Sequence, residues 1–278
     1  MSVRTNNPIL SRADAFTPGY TTTYAPNQGY AQAPYGYGAQ GPYGAQSGPN
    51  MPQQVTGRMT IDDVITKTAT LMLVIVAGAG LVWLLLPAQL LAPVAVIGSI
   101  VTAITVWMVA LRRELPVAGV FVYAGVEGLV LGAFSKLFEY MYPGIVLQAV
   151  VGTVISAFVV LGAYKYLNAR VRGRLAQIVT VSIIAYAVFA LLSLVLTLFG
   201  VNTGAFAIGA GAGPFAWLMA GIGVVLSAAS LLMDFDAIEN GVRMGAPEKE
   251  SWRGAFGLIT SLVWMYTQLL RILSFFRN

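Results

Sequence analysis

The 278-residue chain contains no cysteine and no histidine. Without cysteine there is neither a disulfide framework nor a thiolate metal site. Without histidine, Ser–His catalysis, His-ligated zinc or haem, and the usual near-neutral pH switch are excluded. Any proton chemistry falls to carboxylates, lysine or tyrosine. Charge is scarce as well: 10% of residues are charged, against about 25% in a soluble globular protein. With 57% hydrophobic residues and a mean hydropathy of +0.74, the chain has too little polar material to cover its own surface. It reads as an all-α integral membrane protein. No charged segment with a short apolar run behind it opens the chain, so no cleavable signal peptide is expected.

What is present falls into two parts. Residues 1–57 are dominated by Gly, Pro, Gln, Ala and Tyr with no apolar period. Such a segment cannot bury enough surface to offset its ordering entropy, and it is expected to be a disordered cytoplasmic tail. Its spaced tyrosines offer weak self-association or partner contacts; the plainer reading is a solvated tail. Residues 58–278 form the second part. Thr60, with Asp62 and Asp63 just after it, has the look of a helix start opening an amphipathic lead-in. Seven apolar stretches of the ~20 residues needed to cross a bilayer follow, near 68–87, 90–111, 116–137, 144–166, 176–199, 213–234 and 254–276. The expected architecture is a seven-transmembrane helix bundle, its first two spans turning at Pro87 and Pro93. Spans of this length exclude a transmembrane barrel.

The sixteen basic residues set the orientation. Thirteen fall in the N-terminal region and in alternate loops, and only Lys136, Arg271 and Arg277 fall on the other side. The positive-inside rule puts the N-terminus in the cytoplasm and, with seven spans, the C-terminus outside, in a multi-pass cell-membrane protein. Arg271 lies inside the last span, which is therefore open to being tilted or re-entrant. The basic loop Lys165–Arg174 reads as ordinary positive-inside charge with some contact to anionic lipid.

Three polar features stand in apolar surroundings. Glu127 falls near the middle of the third span, where a charge costs at least ~2.5–3.5 kcal/mol, so it should face the bundle interior or be protonated. Gly125, Gly128 and Gly132 line a stripe beside it that permits close helix approach. The second feature is "LLMDFDAIENG". Asp234 abuts the apolar run, whereas Asp236 lies about 200° around the helix from it and shares a face with Glu239. One acid, Asp234, is thus expected to look into the bundle, and Asp236 and Glu239 to mark a solvated helix exit. A calcium-loop reading fails, because position five would be Ile238 and position twelve Gly245. The third feature is Gln268 and Arg271, three apart on one face of the last span. There Arg271 either serves the interior or snorkels to the outer surface and caps the helix end. The glycine-rich "AIGAGAGP" follows no strand and is a loop. With no His, Cys or paired Asp, an enzyme is not expected.

These pieces, "YAGVEGLVLGAFSKLFE", "GIVLQAVVGTVISAF" and "LLMDFDAIENGVRMGAPEKESWRGAFGLITSLVWMYTQLLRIL", resemble the transmembrane Bax inhibitor motif family, in particular its bacterial YccA-like branch. The likeness covers about residues 58–278. Its most specific marks are an Asp ending the sixth span, an Ile four residues on, and a last span ending Leu269-Leu270-Arg271. The resemblance implies a bundle that passes calcium slowly down its gradient. It further implies a proton-sharing pair of aspartates, on the sixth and seventh spans, that acts as a pH-sensitive latch. Asp234 matches the first of the pair. The second would fall at Ser261, which can donate a hydrogen bond but cannot share a charge.

The expectation from sequence is a pH-modulated cation leak, with Asp234 and Glu127 as pathway or gate residues and transient calcium ligands. Asp236, Ser261, Gln268 and Arg271 are the further candidates. No resident cofactor and no nucleic-acid partner are expected; the partners are the lipid bilayer and calcium or another cation. A second expectation is a non-transporting regulator of a membrane protease or stress response, with the tail as contact segment to a membrane-protein partner.

Overall fold

The computed structural model describes residues 57–110, 112 and 115–277. The expected tail lies outside the described residues except for Gly57. Seven helices follow in order: α1 (Ile61–Leu85), α2 (Ala88–Ala110), α3 (Val117–Met141), α4 (Ile145–Tyr166), α5 (Arg174–Leu198), α6 (Pro214–Arg243) and α7 (Glu250–Phe275). All seven are long and apolar enough to cross a membrane. The one extended pairing among the described residues is an isolated bridge between Arg58 and Pro247.

Local chemistry sets the helix ends. Thr60 caps α1 by accepting from the Asp63 amide at 3.1 Å, and Asp62 and Asp63 complement the positive end of the helix. Helix α1 therefore starts seven residues before the expected span, its amphipathic lead-in continuous with the apolar part. The turn into α2 involves only Leu86 and Pro87; Pro93 lies inside α2 and not in the turn. Pro214 takes the first position of α6, where its missing amide costs nothing. The C-terminal carbonyls of α1 are met by Lys136 of α3, whose ammonium donates to Trp83 O at 3.0 Å and Leu86 O at 2.8 Å.

Helix α7 is the hub, packing against α1, α3, α4 and α6. It is also the least hydropathic of the seven, because its side chains meet other helices and not the bilayer. It is one continuous helix of 26 residues, long and apolar enough to cross a membrane. Leu71 and Ile75 of α1, Tyr123 and Leu131 of α3, and Phe256 and Ile259 of α7 form the main buried cluster. At the edge, α4 and α5 turn Leu147, Phe158, Ile178 and Val181 outward, as lipid-facing helices do.

Helices α1 and α3 touch backbone to backbone. A Cβ at Gly128 would stand 2.6 Å from Ile75 O, and one at Gly132 2.7 Å from the Ala79 Cα. Gly125 has open space: Ala124, fully buried, and not Gly125 continues the four-residue row of Gly128 and Gly132. The glycine stripe is thus two residues long, not three.

Candidate functional site

Helix α6 runs on to Arg243, nine residues past Asp234. The acid run is therefore helix interior and not helix end, and its three acids meet three different surroundings.

Asp234 faces α7. The Ser261 hydroxyl donates to its Oδ2 at 2.5 Å, and Ser230 Oγ stands 2.9 Å from Ser261 Oγ. Ser261 has one hydrogen to give, so while it donates to Asp234 it must accept from Ser230. Gly257 makes the room: a Cβ there would come 2.7 Å from Asp234 Oδ1. Among the described residues, no second carboxylate bonds to Asp234. In place of a two-aspartate latch stands a chain of two hydroxyls and one carboxyl, Ser230, Ser261 and Asp234.

Asp236, two residues on, contradicts the expectation of a solvated helix end. It is buried, 9% exposed, and bonds to both arginines of the α4–α5 loop. Arg170 Nη1 approaches its Oδ1 at 2.9 Å and Arg172 Nη2 approaches it at 2.5 Å, while Asn240 donates to Oδ2 at 3.0 Å. Glu239 joins the same cluster through Arg170 at 2.9 Å, Arg243 at 2.5 Å and the Tyr164 hydroxyl. The Glu239 and then the Asp236 hydrogen bonds hold the Arg170 guanidinium above its ordinary range, and Asp236 does the same for Arg172. The basic loop is therefore an ion-paired clasp on α6 at these two arginines, not merely topological charge. Both partners were visible in the sequence on the same side of the membrane; the pairing was not, since 64 or more residues separate them.

Glu127 of α3 is buried, 6% exposed, and its Oε2 has no hydrogen-bond partner. Tyr123 is buried one turn before it on α3, and the Thr102 hydroxyl of α2 is likewise buried without a partner. None of these touches Asp234, whose neighbours come from α6 and α7. The two membrane carboxyls occupy separate pockets.

Gln268 and Arg271 do share a face, but Arg271 does not snorkel. It is 5% exposed, and its Nη2 donates to Ala205 O at 2.6 Å and Ala216 O at 2.9 Å. Its guanidinium lies 4.9 Å from the Phe206 ring centroid. Backbone carbonyls, with no carboxylate among them, hold it and tie the α5–α6 connection to α7. Gln268 Oε1 accepts from the Tyr186 hydroxyl at 3.2 Å, in a slot left by Gly223, where a Cβ would come 2.5 Å from that oxygen.

Among the described residues, no three carboxylates converge on one point. A cation at Asp234 would have to complete its shell with water and hydroxyl or carbonyl oxygens.

Seven membrane-length apolar helices, with acids and an arginine turned into the bundle, define a multi-pass integral membrane protein. The model of the Bax inhibitor 1 like family matches residues 7–278, and the chain belongs to that family. The match begins well before residue 58, where the resemblance in the sequence was placed. No curated protein matches the chain in sequence.

Proposed function

We propose that the protein is a slow, proton-gated leak for calcium or a similar cation through the cell membrane, with Asp234 as its gate and the basic end of the bundle in the cytoplasm. The observation that carries this reading is the single hydroxyl contact that holds a membrane carboxyl between α6 and α7. Protonated, Asp234 can donate to Ser261, which then donates to Ser230, so the carboxyl is held without a charge to solvate. Ionised, it has one serine hydroxyl to solvate it, and water or a cation has to complete its shell. The two protonation states thus demand different surroundings at one helix contact, which biases a closed against an open arrangement. Glu127, with an unsatisfied oxygen in its own pocket, is a second polar station and not part of the gate.

Reconstitution into liposomes loaded with a calcium dye tests the proposal. Flux above that of protein-free liposomes is expected, and Ser261→Asp should change its pH profile by placing a second acid opposite Asp234. Equal flux with and without protein, across pH, would sink the reading.

A further inference from the structure

Between α1 and α4, with α7 as its floor, runs a cleft of about 590 Å³. This is the size of a small-ligand pocket, ~300–1,000 Å³. Its walls are almost wholly apolar: Val76 and Ala79 on α1, Val154 and Phe158 on α4, Leu262 on α7. Several wall residues are also open to the outside, Val76 at 59% and Phe158 at 69% exposed, so the cleft opens sideways. In a membrane-crossing bundle, sideways means toward lipid. Along α4 the cleft runs from Val146 to Leu161, roughly 22 Å at 1.5 Å per residue, and Leu161 is at the basic end. That is most of the ~30 Å hydrocarbon core, long enough for one acyl chain that enters at the basic end.

One end carries a charge that fits the headgroup of such an occupant. Along α4, Val150, Val154, Phe158, Leu161 and Lys165 follow one another at three- and four-residue steps and share a face. The first four line the cleft. Lys165, one turn beyond, is exposed at the basic end of the bundle; its ammonium lies 5.8 Å from the Tyr166 ring centroid and makes no ion pair among the described residues. Its neighbours Arg170 and Arg172, by contrast, are occupied by Asp236.

We infer that the cleft holds one acyl chain of an anionic phospholipid from the leaflet at the basic end, with the phosphate against Lys165. Native mass spectrometry of the full chain in detergent, titrated with phosphatidylglycerol and phosphatidylcholine of the same chain length, tests this. One retained phosphatidylglycerol is expected, at least about fivefold preferred over phosphatidylcholine. Lys165→Gln should remove the preference and leave binding. Val154→Trp should fill the cleft and weaken binding of both lipids about tenfold, and Ala157→Phe fills the same space from the next turn if the first variant fails to fold. A folded Val154→Trp or Ala157→Phe protein that binds lipid like the parent overturns the inference. So does a parent dimer that these variants turn into a monomer, since the cleft would then be an interface between copies. A preference unaffected by Lys165→Gln overturns the headgroup placement.

Discussion

Asp234 and Asp236 stand two residues apart on α6 and live in opposite surroundings. Asp236 is gripped by two arginines and an asparagine and clasps the α4–α5 loop to the helix. Asp234 is held by one serine of α7, through a contact that survives protonation because either partner can donate. The first arrangement suits a charge that never changes; the second suits one that does. Two acids of one type, 200° apart around a helix, are separated into a fastener and a candidate gate by what the neighbouring elements present to them.

Removing the fastener should have the largest effect. Breaking a buried ion pair costs ~3–5 kcal/mol, and the partly hydrated arginines here reduce that to about 2 kcal/mol for Asp236→Ala. Thermal unfolding in detergent should show the loss. If Asp236→Ala melts like the parent, the clasp is ornamental and the contrast collapses. Next comes Gly257→Ala. Its new methyl would press on Asp234 Oδ1, and overpacking of this kind costs ~1–3 kcal/mol. Asp234 is partly buried and can yield, so about 1 kcal/mol is expected. The same variant should alter flux, which a purely structural glycine would leave alone.

Asp234→Asn should be milder still. Its amide oxygen accepts from Ser261 as the carboxyl does, so the melting temperature should move by the equivalent of less than about 1 kcal/mol. The smallest effect is that of salt. Raising ionic strength from about 0.1 M to about 1 M shortens screening from ~10 Å to ~3 Å and should weaken the exposed side of the clasp by a few tenths of a kcal/mol. In Asp236→Ala that salt sensitivity should fall. The clasp should contribute evenly across usable pH on the arginine side. Arg170 and Arg172 titrate above their ordinary values, so the stability they add is present below the unfolded-state value and lost only in extreme alkali.

The seven spans were legible in the sequence because hydropathy over twenty residues is a local property. Their ends were less so. Helix α6 outruns its expected apolar stretch by nine residues, since ion pairs with a distant loop, not lipid, stabilise its last turns. The pairing of position 234 with position 261 was visible from the family resemblance, and the geometry joins Asp234 and Ser261. The fate of Arg271 was only partly so: Gln268 on its own face was, but its shortest bonds go to the carbonyls of Ala205 and Ala216, which carry no residue-type signal. The Gly128–Gly132 contact was readable as a motif, whereas the open space at Gly125 depends on which row of α3 faces α1.

The central claim is that the protonation state of Asp234 sets cation passage. Calcium flux into dye-loaded liposomes, measured from mildly acid to mildly alkaline pH for the parent and Asp234→Asn, tests it most directly. Flux should rise with pH in the parent and stay low and flat in Asp234→Asn, with both proteins equally folded. A variant whose flux and pH profile match the parent's would contradict the account.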